Sequence, residues 1–496
     1  MTINRVASIF VISILSVASL FQIFQNLGTE HIKIWDEAIG AYKAIDMMSA
    51  ADYLVVPIEE QEDLIDTKPP LAIWLKVISY KIFGINEFAV RLPSAMAGVF
   101  ILFGFFVFLR RFLNRDFAFP LVLILASCSY AFMGYHFVRN GDPDVILSLF
   151  VVGYFLVYFI IIEGFNERKN YHYFLLGLMV LGAYYTKSLA GLSPLIGLVI
   201  YTFFRKNGYK IVKDYRFHVT WFITVLLILS YYLIREVYDS GYIAKVIEME
   251  WNYVKNYPFD PKHPHFDFYF MYLINDAFYP FMYFFPVSFI GAYLTKDKRV
   301  RDFLLYGILC ILSYLILQSS VVIKNEWYIA PIFPMLWIVI GLGFYESLNH
   351  LLSLIKSVSI KDYTYLMIVL VIAAIVSPIY TDIFKRNTQQ ALSNSIYDPE
   401  REGQYLRDLY TTGFDIRNLH LIKKKHTRQL LFYVKKYNYE DSLNLSVHSS
   451  VDEDLIGSKV LVCEENFKEV VRNQYDYESL SKGKYGEVFF LKGKID

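Results

Sequence analysis

Long uncharged apolar runs recur along most of this 496-residue chain, and they leave it few ways to fold. Val6–Phe24, Leu92–Leu109, Val145–Ile162 and Trp221–Ile234 contain no Asp, Glu, Lys or Arg. Runs of roughly 18 or more apolar residues match the ~30 Å hydrocarbon thickness of a bilayer. In lipid a backbone must satisfy its own N–H and C=O groups, so such runs become helices. Windows of this kind predict about eleven spans, at 6–25, 92–113, 117–135, 145–163, 171–186, 189–204, 217–234, 270–294, 302–318, 327–346 and 364–383. The fold class is therefore an all-α polytopic membrane protein. The first run is longer than a signal-peptide core and has Phe21, Gln22 and Phe24 where small cleavage-site residues would stand, so it reads as a retained helix.

Charge supplies the orientation. Basic clusters at Arg110, Arg111 and Arg115, at Arg168 and Lys169, at Arg205–Arg216, and at Lys296–Arg301 sit in alternate short connections. Positive residues in short loops mark the cytoplasmic side. The chain is thus expected in the cytoplasmic membrane with its amino terminus inside. The loop 26–91, the turns near 136–144, 187 and 319–326, and the loop 235–269 then face outward, as does everything after about 384. Asp36, Glu37, Lys68, Asp142, Asp144, Lys187, His263, His265 and Lys324 all fall on that external side. An active site at the outer surface would look like this, as would plain polar loops. A formal charge of +1 argues against a nucleic-acid partner. Cys128, Cys310 and Cys463 make neither a disulfide framework nor a metal cluster.

Two segments outside the spans carry structure. Leu71–Phe83 places Leu71, Trp74, Leu75, Ile78 and Ile82 at helical spacing, with Lys76 and Ser79 off the stripe, and Pro69-Pro70 suits its start. This predicts an interfacial helix, or a short helix packed on the bundle. From about 386 the chain turns polar. Apolar stretches Leu430–Val434, Leu443–Val447, Lys459–Cys463 and Glu487–Leu491 predict strands, and Glu400–Leu409 and Glu465–Arg472 predict helices. The expected organisation is a transmembrane domain, 1–385, and a small extracytoplasmic α/β domain, 386–496.

Several external residues are candidates for chemistry. Asp36-Glu37 could serve as a general base, bind a hard cation, or simply cap a helix. Lys68, in Thr67-Lys68-Pro69-Pro70, offers a point charge for phosphate, or snorkels to the headgroups. Asp144 begins a span, where the helix dipole favours an acid. Lys187 and Lys324 suit anion contact or mark span boundaries. His263 could contact substrate or metal, or be a surface histidine.

The ordered set Asp36-Glu37, Tyr42, Met47, Lys68-Pro69-Pro70-Leu71, Trp74, Phe83-Gly84, Glu87 and Arg91-Leu92-Pro93-Ser94 is a more specific signal. Asp144, Thr186-Lys187, Gly191, Pro194, His263, Lys324, Trp327-Tyr328, Pro331 and Pro334 continue it. Over roughly residues 1–385 the chain resembles the GT-C integral-membrane glycosyltransferases, in the branch of the protein O-mannosyltransferases and the lipid A aminoarabinose transferases. The resemblance implies sugar transfer from a polyprenyl-phosphate donor to a protein, lipid or glycan acceptor at the outer face, with inversion. It implies Asp36 as the acid/base, with Glu37 and Asp144 beside it in the catalytic set, and Lys68, Lys187, Lys324 and Tyr328 around the donor phosphate. It implies no firm cofactor. The aminoarabinose transferases carry a glutamate before the Lys-Pro lysine, used with a later histidine for metal; here that position is Thr67. A divalent metal on His263, and that particular sugar, are thereby weakened. The other function classes are a lipid-linked substrate transporter or flippase and a non-catalytic envelope protein. Transporters favour midplane charges and paired repeats, which the sequence does not display.

Overall fold

A computed structural model describes residues 3–33, 35–54, 68–133, 136–164, 169–255, 265–321, 323–355, 358–392, 401–424 and 427–495. The chain forms two compact units, one comprising residues 1–25, 61–72 and 94–386, the other 26–60, 73–93 and 387–496.

The first unit is helical. The described residues of the anticipated segments fall on helical elements, several of them broken. Among the described residues six helices are long and apolar enough to cross a membrane: Glu87–Leu113, Asp144–Glu163, Tyr215–Tyr238, Lys298–Ser319, Glu326–Leu352 and Tyr363–Arg386. A seventh candidate, Phe268–Ala277 with Phe281–Leu294, is bent by 112° at its break. Ile9–Phe24, Asp116–Ser127 and Leu189–Phe204 are apolar but shorter. The chain is a multi-pass membrane protein. Asp144–Glu163 and Glu326–Leu352 are central, 83% buried, whereas Tyr215–Tyr238 is 11% buried and leaves Phe222, Leu226, Leu229 and Leu233 bare. A helix with that much bare apolar surface belongs in lipid. Tight packing of Phe285–Leu294 on Phe333–Leu352 depends on glycine. A Cβ at Gly291 would stand 2.3 Å from the Gly343 carbonyl oxygen, the close approach small residues permit between membrane helices.

The second unit is α/β. Its sheet has the order β2-β1-β3-β5-β4, with β1 Leu419–Ile422, β2 Ser446–His448, β3 Lys459–Val462, β4 Tyr475–Lys482 and β5 Glu487–Lys494. The first three strands are parallel, with His420 opposite Ser446 on one side and Val460 on the other; β5 runs antiparallel to β3 and β4. The expected strand at Leu430–Val434 is instead part of the helix Arg428–Asp441, which buries Gln429, Leu430, Phe432, Tyr433, Val434 and Tyr437. Leu430–Val434 is apolar at all five positions, and a helix buried on most of its circumference shows an unbroken apolar run just as a buried strand does. The strand expected at Leu443–Val447 shifts to Ser446–His448, and β1 and β4 were not anticipated.

One core of this unit joins chain segments far apart in sequence. Helix Asp36–Ala50 buries Ala38, Ala41, Tyr42, Ala44, Ile45 and Met47. These pack in one cluster with Ile73, Val77 and Tyr80 of helix Leu71–Phe83 and with Leu406, Leu430, Tyr433 and Leu461. Helix Leu71–Phe83 has the expected bounds, and the face off the apolar stripe is the inward one: Lys76 and Ser79 are buried, while Ile78 and Ile82 are exposed. Polar atoms inward and isoleucines outward suit a helix whose surroundings are apolar.

Candidate active site

In the second unit the helix bearing the acidic pair starts under constraint. Trp35, just before it, has φ 79° and ψ −128°, a conformation that L residues adopt rarely and at a cost of roughly 1–3 kcal/mol. Its carbonyl accepts the first helical bond, from Ile39 N at 2.9 Å. Asp36 is half-buried. Glu37 is completely buried, and both its oxygens are engaged. Arg91 donates Nε to Oε1 at 2.7 Å and Nη2 to Oε2 at 3.1 Å, and Lys33 N donates to Oε2 at 2.7 Å. The remaining guanidinium hydrogens go to the carbonyls of Leu27, Glu30 and His31 at 2.8–3.1 Å. A forked, fully satisfied pair of this kind is the geometry in which a buried ion pair holds a backbone in place. Successive helix positions point about 100° apart, so Asp36 and Glu37 cannot share one target.

The first unit holds the other candidates. Asp144 opens helix Asp144–Glu163 and accepts from Lys187 Nζ at 2.6 Å through Oδ1. Its Oδ2 is buried and meets no hydrogen-bond partner among the described residues, and the same holds for Asn140 Oδ1. Two residues upstream, Asp142 lies 2.6 Å from His136 Nδ1, and the His136 ring stacks on Trp327 at 4.1 Å between centroids. His136 has φ 66°, and Arg139 Nη1 caps the first helix by donating to the carbonyls of Gln22 and Ile23 at 2.7 and 3.0 Å. Lys324 is buried and donates Nζ to the Val321 carbonyl at 2.7 Å; burial pushes its ammonium below the usual lysine range. Tyr328 is half-buried, its carbonyl accepting from Tyr314 OH at 2.8 Å. Lys68 is exposed beside the buried Pro69 and Pro70. His263 lies outside the described residues. A cavity of about 480 Å³ opens in this unit, lined by Tyr130, His136, Tyr272, Asp276, Glu326 and Trp327 among others. Aromatic faces interleaved with acids are suited to a polar ring compound.

The structure thus pairs Asp144 with Lys187, and gives Glu37 to Arg91. Sequence reasoning did not single out Arg91 as a partner or His136–Asp142 as a pair. The only signal for the latter was the unusual density of Arg139-Asn140-Gly141-Asp142-Pro143-Asp144.

Comparison with known proteins follows the same lines. A family profile described as dolichyl-phosphate-mannose-protein mannosyltransferase matches residues 67–234. The structure superimposes on ArnT from Cupriavidus metallidurans bound to undecaprenyl phosphate with a TM-score of 0.69, 14% identity, and coverage of 96% of this chain and 97% of that one. This chain has the GT-C fold. A second GT-C neighbour is the archaeal oligosaccharyltransferase AglB from Archaeoglobus fulgidus, solved with an inhibitory peptide and a dolichol-phosphate. It gives a TM-score of 0.55 at 11% identity, covering 88% of this chain and 64% of that one. An uncharacterized protein of Aquifex aeolicus (strain VF5) is 25% identical over 363 residues, 72% of this chain and 67% of its own length. The fold is the one that the resemblance in sequence implied.

Proposed function

We propose that this GT-C protein transfers a sugar from a polyprenyl-phosphate donor to an acceptor at the extracytoplasmic face of the cytoplasmic membrane, with inversion. The observation that carries the reading is its likeness, over nearly the whole chain, to a transferase solved with undecaprenyl phosphate, joined to a family profile named for dolichyl-phosphate-mannose transfer.

In this reading the acceptor hydroxyl attacks the anomeric carbon from the face opposite the phosphate. The bond from that carbon to the phosphate oxygen breaks, and its electron pair leaves with polyprenyl phosphate. Asp36 takes the hydroxyl proton. Where the acceptor is itself a phosphate, no proton moves and Asp36 orients it. Lys68, Lys187, Lys324 and Tyr328 serve the leaving phosphate, whose growing charge pre-placed cations stabilise best in a water-poor site. The local geometry supports a division of labour within the acidic set. Glu37, with both oxygens held by Arg91 and Lys33 N, is a positioning residue rather than a proton acceptor. Asp144, paired to Lys187 Nζ, holds that ammonium in place.

The test is Asp36→Asn, assayed for release of polyprenyl phosphate from lipid-linked sugar. Loss of about 10²–10⁴-fold in kcat with normal membrane insertion is expected. Wild-type turnover in that variant would rule out the assignment.

A further inference from the structure

The carboxyl-terminal part of the chain reaches the acidic helix through one helix of its own. Arg428–Asp441 packs along Asp36–Ala50 within one core. Lys435 Nζ donates to Asp46 Oδ1 at 2.7 Å. Tyr433 OH accepts from Ile32 N at 3.1 Å and donates to Glu87 Oε1 at 3.0 Å, where Arg407 Nη1 also donates at 3.0 Å. These contacts fix the body of the acidic helix and the strand of chain approaching it. A different one acts at its first turn: the Arg428 guanidinium sits 5.0 Å from the centroid of the Trp35 ring.

That contact falls on the residue least able to hold its own conformation. Trp35 carries a side chain at φ 79°, immediately before Asp36. A residue in this region relaxes to negative φ unless its surroundings hold it, and relaxation here would turn the first helical residue. Trp35 is 42% exposed, so packing alone secures less of it than it would a buried residue. A cation over an indole face adds a directional restraint.

We infer that Arg428 is a positioning residue for the transfer reaction, acting through the Trp35 ring to hold the backbone that presents Asp36. This makes the carboxyl-terminal segment part of the catalytic apparatus, and it rests on the assignment of Asp36 above. Arg428 touches neither donor nor acceptor in this account. Its removal lowers turnover and leaves donor affinity alone, because misplacement of a reacting group by about 1 Å is felt in the transition state.

The experiment uses the full chain in liposomes with the lipid-linked sugars extracted from its source membranes, following release of free polyprenyl phosphate by mass spectrometry. Arg428→Ala is expected to lower kcat roughly tenfold to a hundredfold, with the half-saturating extract concentration within about twofold of wild type. Arg428→Lys, which keeps a cation over the ring, recovers most of the loss. In a Trp35→Gly background, where φ 79° needs no support, Arg428→Ala has no further effect. Arg417→Ala, which removes an exposed pair with Asp415, leaves turnover unchanged. Wild-type kcat in Arg428→Ala, or an equal loss with and without Trp35, overturns the inference while an inactive Asp36→Asn leaves the transferase reading standing. Equal turnover by wild type and Asp36→Asn overturns both.

Discussion

Two buried carboxylates, Glu37 in one unit and Asp144 in the other, are handled differently. Around Arg91 every strong donor of the guanidinium has an acceptor, and both oxygens of Glu37 are used. Around Asp144 there is an ion pair with Lys187, yet Asp144 Oδ2 and Asn140 Oδ1 are buried with no hydrogen-bond partner among the described residues. Leaving a buried acceptor unmet costs about 1–3 kcal/mol, so a closed network reads as scaffold and an open one as a place a substrate group completes. Residue type does not separate the two cases, since each is a carboxylate beside a cation. Satisfaction does.

The sharpest way to break this contrast is Arg91→Ala. It strands Glu37 without its cation, and a loss of about 3–5 kcal/mol in stability is expected, read as a fall in melting temperature and in yield of folded protein. A variant that melts like wild type would remove the scaffold half of the comparison. Next in size is Lys187→Ala. With an open network the expected cost falls on turnover, roughly tenfold to a hundredfold, with a smaller fall in melting temperature than Arg91→Ala. Equal melting losses in the two variants, with turnover intact in Lys187→Ala, would make the networks equivalent.

Lys324 sharpens the contrast through pH. Burial lowers its ammonium, so its charge is lost at lower pH than for an ordinary lysine, and transfer activity should decline as pH rises through that lowered value. Lys324→Arg stays charged and should carry the alkaline limb of kcat to higher pH. Coincident limbs in the two proteins would exclude Lys324 from the phosphate site. The smallest effect belongs to the sheet edge. His420 Nδ1 lies 3.1 Å from His448 Nε2, and burial, then His448, hold His420 below the usual imidazole range. Below about pH 6.5 the unfolded chain takes up a proton that the folded sheet resists, so stability falls with acidity. His448→Gln should reduce the acid-induced drop in melting temperature by roughly 1–2 °C.

The membrane helices were legible because uncharged runs of 18 residues admit one solution in lipid. The α/β character of the carboxyl-terminal segment was legible too, from its change in polarity and from the runs at β3 and β5. Helix Arg428–Asp441 was not, because Leu430–Val434 is apolar at every position and so carries neither period. The same limit applies to chemistry. Asp36 and Glu37 are adjacent and look alike in sequence, and what distinguishes them is an arginine fifty-four positions away. Helix Leu71–Phe83 was legible in its bounds, but its sequence does not say which face meets protein, since the apolar stripe of a helix points to its most apolar surroundings, and near a membrane that need not be the protein interior.

The second unit is assembled from separate stretches of chain, and this has a consequence for how the protein is made. Residues 26–60 and 73–93 share their core with 387–496, and nearly three hundred residues are synthesised between them. At ribosomal speeds of about 5–20 residues per second that interval lasts roughly 15–60 s. Throughout it Ala41, Ala44 and Ile45 are without the leucines and tyrosines that cover them in the finished molecule. The acidic helix is translated among the first fifty residues and completed among the last hundred, so a nascent chain stopped anywhere in the bundle carries Asp36 on a helix with half a core.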